Sequence, residues 1–189
     1  MHSAERIRVA GIAALGLLAA LGMRVAHAEE STCVGMLVAA TVDNLRVPSG
    51  RTCTLDATRV KGTIKVERDA LLYARKVQVV GNVLAENAKQ VSVTDDSTVG
   101  GSIQVKQGAA ATIHHVRVTG DIQFESNSGA LSALENRVGG NLQAFGNKGG
   151  VKIAKNVIDG NLQCKENVPA PKGGNNVVKG SKQDQCRRP

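Results

Sequence analysis

The chain has 189 residues, a formal net charge of +8, one Tyr, two Phe and no Trp. So few aromatics exclude the usual globular core, which draws much of its volume from large rings, and the length allows one ordinary domain. The basic excess permits attraction to anionic glycans, lipopolysaccharide or nucleic acid, but it is spread along the chain and equally serves solubility.

The first element in chain order is a leader. Arg6 and Arg8 precede an uncharged, mostly apolar run from Val9 to Met23, and Ala26-His27-Ala28 puts small residues at the two positions a signal peptidase reads. The run is shorter than the roughly 20 residues of a membrane span. Residues 1–28 therefore read as a cleavable signal peptide, and 29–189 as an exported domain, periplasmic or secreted. Loss of three basic residues and one acidic residue with the leader lowers the net charge to +6. No later stretch is apolar enough to span a bilayer.

A short phrase then recurs: Val or Ile, any residue, Gly, a small polar residue, and an apolar one. Its glycines are Gly62, Gly81, Gly101, Gly120, Gly140, Gly160 and Gly180, in steps of 19 or 20 residues. Val42-Asp43-Asn44-Leu45 is a degenerate earlier copy. Around each Gly the apolar residues alternate, as in Ile103 and Val105, Ile122 and Phe124, or Leu142 and Ala144. Period two marks strands with one buried face, and each period holds about three of them between Gly and Asn bends. A repeat running in one sense predicts an all-β, single-stranded parallel β-helix of about seven coils, with residues 29–189 as one domain. Its period departs from the strict 18 of left-handed hexapeptide helices, which favours a right-handed coil. A β-sandwich is the alternative.

Polar residues keep the same period. Gln104, Gln123, Gln143, Gln163 and Gln183 lie three after the Gly on the outward phase, forming a candidate binding face for sugars or another protein. Their other reading is coil-to-coil hydrogen bonding, as in cross-β amide ladders. Asn127, Asn147 and Asn167 form a second row, and Asn136, Asn156 and Asn176 a third.

The four cysteines follow the leader, and an even count suits an oxidising compartment. Cys33 and Cys53 are 20 apart and Cys164 and Cys186 are 22 apart, about one coil each. Crossed pairings would bridge several coils, far beyond the roughly 6 Å between Cα atoms that a disulfide spans. The expected bonds are Cys33–Cys53 and Cys164–Cys186, closing the two ends. The last coil is further broken by Pro169, Pro171 and Gly173-Gly174, and Lys182 and Asp184 replace apolar residues there.

No catalytic motif stands out. There is no G-x-S-x-G, H-E-x-x-H or phosphate loop, and no cofactor is expected. There is no C-x-x-C, and the histidines lack ligand spacing, so no metal site is expected. His114-His115 follows the buried Ile113, with one of the pair facing solvent; a proton-transfer role is the functional reading. Asp95-Asp96 sits where one coil gains a residue, and Asp121 and Glu125 follow one coil on. A carboxylate pair there could serve hydrolysis, although solvated turn residues look the same in sequence.

Val47-Pro48-Ser49-Gly50-Arg51-Thr52-Cys53-Thr54-Leu55, the repeated phrase, Gly160-Asn161-Leu162-Gln163-Cys164 and Asp184-Gln185-Cys186 resemble an uncharacterised family of exported bacterial β-helix repeat proteins. That resemblance covers most of the exported part and implies no activity. The phrase is also similar to that of bactofilins, polymerising β-helical proteins of the cytoplasm, from which the leader and cysteines depart. Three functions follow as expectations. The first is a non-enzymatic exported solenoid with a structural, surface-binding or glycan-binding role, whose partner is an anionic cell-surface polysaccharide or another protein, with no specific nucleic acid. The second is a small polysaccharide-active enzyme using Asp95, Asp96 or Asp121. The third is a scaffold that assembles through its ends, rather than remaining a monomer.

Overall fold

The computed structural model describes residues 29–187; the expected leader, residues 1–28, lies outside the described residues. The chain winds through three parallel sheets of nine, eight and eight strands, visiting each sheet once per turn. One turn runs Ile103–Lys106 in the first sheet, Ala110–His114 in the second and Arg117–Val118 in the third. The next runs Ile122–Glu125, Leu131–Leu134 and Arg137–Val138. This is a parallel β-solenoid of eight turns, with the strand Lys182–Asp184 added at the end. An extra turn precedes the recognisable copies because Glu30–Thr32 pairs with Asn44–Arg46 and Gly35–Val38 pairs with Cys53–Asp56. Those two strands lack apolar alternation, so sequence pattern does not mark them.

Register places equivalent residues directly above one another. Val83, Ile103, Ile122, Leu142 and Leu162 form one buried column, and Val66, Ala85, Val105, Phe124, Ala144 and Cys164 form another. Side-chain size varies within the second column, and its largest member, Phe124, stacks directly on one of its smallest, Ala144. The core is therefore a stack of thin aliphatic layers, which is why it needs almost no aromatic residues.

Polar columns hold all three corners. Entering the third sheet, Asn136, Asn156 and Asn176 are buried. The Asn136 side chain donates to Asn156 Oδ1 at 3.0 Å and to the Ile113 carbonyl at 2.9 Å. Asn156 repeats the pattern with Asn176 Oδ1 and the Ala133 carbonyl. At the corner entering the second sheet, Asn127, Asn147 and Asn167 do likewise, and Gln185 closes that column by accepting from Asn167 N at 2.9 Å.

The corner returning to the first sheet carries the repeated Gly. Here Asn44, Thr63, Asn82, Ser102, Asp121, Asn141 and Asn161 each accept from the backbone N–H of the equivalent residue one turn later. A Cβ at Gly101 or Gly140 would fall on the accepting side-chain oxygen of Asn82 or Asp121. These glycines exist for space rather than for positive φ. The left-handed positions belong instead to the other two corners: Asn87, Gln107 and Ser126 entering the second sheet, with φ between 52° and 56°, and Lys76, His115, Glu135 and Lys155 entering the third, with φ between 53° and 57°.

Cys33 bonds Cys53, and Cys164 bonds Cys186, with Cα atoms 5.5 and 5.2 Å apart. All four are buried and plug the two ends of the core. The final turn is not broken: Lys172–Gly174 still pairs with the preceding strand. Gly173 takes the place of an inward side chain, since a Cβ there would strike the Ile153 carbonyl. Replacing Cys33 and Cys53 by Ala is expected to cost about 3 kcal/mol, the loop-closure value for a ring of this size. Urea unfolding would measure the loss. Hydrogen exchange should place the loosening in the first two turns, because each turn contacts only its neighbours.

Candidate functional site

With every inward position filled by core, function falls to the outer faces and corners. The outward residues of the first sheet include Arg46, Lys65, Leu84, Gln104, Gln123, Gln143, Gln163 and Gln183 in one register column. Gln123 donates to Gln143 at 2.8 Å, Gln143 to Gln163 at 2.7 Å and Gln163 to Gln183 at 2.7 Å. Gln104 shares the register, but the side-chain ladder starts at Gln123. All five are half-buried. A primary amide has two donor hydrogens and two acceptor lone pairs. Within the ladder, the bond to each neighbour uses one of each, so one donor and one acceptor per rung remain for solvent or ligand.

The Gln column runs into a shallow groove of about 600 Å³ bordered by Lys65, Arg68, Glu86, Gln104 and Lys106. Glu67 also borders it, but it accepts from Arg46 at 3.1 Å and from Ser49. Those hydrogen bonds, Arg46 first, hold its carboxyl below the usual carboxylate range. Lys106 reaches Glu125 at 3.1 Å. The groove is open, and its cations outnumber its anions.

Scans against family models, curated proteins and solved structures found no match. The reading of function therefore rests on these faces and on the carboxylates and histidines at the corners.

The acidic residues proposed for hydrolysis fall at two different corners. Asp95 and Asp96 occupy the corner entering the third sheet, with φ of 58° and 61°. Asp121 lies at the next corner, beyond the equivalents of Ser97 to Gly101, roughly 15 Å of extended chain at about 3.3 Å per residue. Paired glycosidase carboxylates stand about 5–9.5 Å apart. Asp121 also has a structural role, since its Oδ1 accepts the Asn141 N–H at 2.6 Å.

His114 and His115 do come together with another group. In a strand, consecutive side chains point to opposite faces. His115 has φ of 55°, at the corner, and this swings its ring to the side of His114. The ring centroids are 4.8 Å apart, and both side chains are accessible, at 42% and 52%. Only one was expected to face solvent. Leu134 pairs with His114 in register, so Glu135 lies over His115, its Oε2 2.7 Å from His115 Nε2 and 3.8 Å from His114 Nε2. Lys155 continues the column and donates to Glu135 Oε1 at 3.0 Å. The Lys155 ammonium, followed by the His115 hydrogen bond, holds the Glu135 carboxyl below its usual range. Sequence spacing hid this group because two of its members are adjacent and the third is a full turn away. The repeat period, applied to His115, would have found Glu135.

Among the described residues, no helix is long and apolar enough to cross a membrane. The two disulfides fit an oxidising compartment.

Proposed function

We propose that this is an exported, non-enzymatic β-solenoid whose first-sheet face binds anionic surface polysaccharide. The amide ladder from Gln123 to Gln183, running into the groove with Lys65, Arg68 and Lys106, carries this reading. Hydroxyl-rich chains suit a row of spare amide donors and acceptors, and carboxylated or sulfated ones suit the adjacent cations. The separated acidic residues and their structural hydrogen bonds support a role in binding rather than turnover.

A glycan array probed with the oxidised protein tests it. Uronate-containing or sulfated polymers should be retained, and retention should fall with salt, because contacts between exposed charges are screened. The Lys65→Glu, Arg68→Glu double variant should lose at least about tenfold in affinity, equivalent to about 1.4 kcal/mol. Shortening of any bound polymer, or binding unaffected by the double variant, would sink the proposal.

A second reading is assembly of copies through the first turn. Among the described residues the strand Gly35–Val38 has a neighbour on one side only, and its Met36 and Val38, with Val34 just before it, are exposed. An open apolar edge of this kind invites strand pairing. Light scattering over a range of concentrations, with and without reductant, would reveal such growth. A monomer under both conditions would end this reading.

A further inference from the structure

We infer that the corner formed by His114, His115 and Glu135 binds one divalent late transition-metal ion, Zn²⁺ or Cu²⁺. The three ligand atoms lie within 4.8 Å of one another. Zinc binds imidazole nitrogen at about 2.0–2.1 Å and carboxylate oxygen at about 2.0–2.2 Å. Tetrahedral ligands at such distances are about 3.3–3.5 Å apart. Reaching that spacing means opening the 2.7 Å contact of His115 with Glu135, closing the 3.8 Å one of His114, and bringing the two imidazole ligand atoms, which lie within 4.8 Å, to the same distance. The remaining coordination positions face water.

Backbone hydrogen bonds hold the ligands in place before any ion arrives. His115 N donates to the Leu134 carbonyl at 3.2 Å, and Glu135 N donates to the Ala154 carbonyl at 3.0 Å. The turn carrying the histidines is thereby fixed against the turn carrying the carboxylate. Two imidazoles and one carboxylate favour Zn²⁺ or Cu²⁺ over Mg²⁺ and Ca²⁺, which take all-oxygen sets. His114 and His115 are the only histidines among the described residues, so binding at another histidine pair there cannot mimic the site.

The surrounding charges set the strength. Lys155 orients Glu135 through Oε1, leaving Oε2 to the histidines. Its charge also opposes a cation. Arg117 and Arg137 line the same shallow groove and oppose it further, whereas Asp96 in that groove favours it. The lysine is a positioning residue with two opposed effects, and at about 3 Å from the carboxylate the repulsion dominates for an accessible ion.

Calorimetric titration of the oxidised protein with ZnCl₂ near pH 7.5 should show one ion per chain, and MgCl₂ or CaCl₂ should show none. His115→Asn keeps a residue tolerant of positive φ, and Glu135→Gln keeps the shape of the side chain. Each should weaken Zn²⁺ binding at least tenfold with an unchanged far-UV circular dichroism spectrum. Lys155→Met should tighten binding severalfold, an effect that a purely structural lysine would not produce. With CuSO₄, electron paramagnetic resonance should report two nitrogen ligands, and one after His114→Gln. No saturable Zn²⁺ or Cu²⁺ binding, or equal binding by a His114→Gln, His115→Asn double variant, would overturn the inference.

Discussion

Replacing Asn156 by Leu is expected to destabilise the solenoid by about 4 kcal/mol, although the two side chains are close in size. Asn156 is fully buried. Its Oδ1 accepts from both the backbone N–H and the side-chain amide of Asn136, each at 3.0 Å. Its own amide donates to Asn176 Oδ1 and to the Ala133 carbonyl, each at 2.9 Å. Leucine leaves the Asn136 N–H without its partner and removes one bond each from the Asn136 amide, the Ala133 carbonyl and Asn176 Oδ1, which keeps the backbone N–H of residue 156, in a place water cannot reach. A buried polar group left unpaired costs about 1–3 kcal/mol, and each of the three further buried hydrogen bonds lost adds about 0.5–1.5 kcal/mol. Gln143→Leu offers the contrast. It breaks two ladder bonds on a half-exposed face, where water replaces them, so a loss of less than about 1 kcal/mol is expected. Urea unfolding of both variants measures the difference. Equal losses would mean that the buried asparagine columns do not hold the corners.

The second large effect belongs to Phe124. It is the bulkiest fully buried side chain, stacked between Val105 and Ala144. Phe124→Ala should cost about 3–5 kcal/mol, from lost apolar burial plus the cavity left behind. The cavity persists because Ala144 is too small to fill it, and the sheets cannot collapse without breaking register. Phe124→Leu should lose far less, since it leaves much less empty volume. For a chain of this length each kcal/mol lowers the melting temperature by about 2–4 °C, so the alanine variant should melt roughly 6–20 °C below the parent. An alanine variant within a few degrees of the leucine variant would show that this layer repacks.

Much of the net positive charge is engaged within the solenoid itself. Cations pair with carboxylates about one turn away, as in Arg75 with Asp56, Lys155 with Glu135 and Lys179 with Asp159. Exposed pairs of this kind contribute about 0–1 kcal/mol each. Lys65 and Lys106, which line the open groove with Arg68, are themselves engaged across turns, with Glu30 at 3.7 Å and Glu125 at 3.1 Å.

The sequence by itself determined the period, the inward columns and the rows of amides. Each of these depends only on residue type at a fixed spacing, and parallel stacking turns equal spacing into contact. It also limited the cysteine pairing, because only partners about one coil apart can reach. Other features depended on where the corners bend and how one turn sits on the next. The phrase glycines make room for a neighbouring turn's side-chain oxygen, and Asp121 serves as one of those oxygens. The first turn is marked in sequence only by the spacing of Cys33 from Cys53 and the degenerate copy at Val42, because its strands, at the end of the stack, have little core to face. Most consequential is His115, whose positive φ cancels the strand alternation that would have parted it from His114. Only the folded chain brings those two rings together beneath Glu135, because backbone conformation at one corner and register between turns must both be fixed before the three side chains meet.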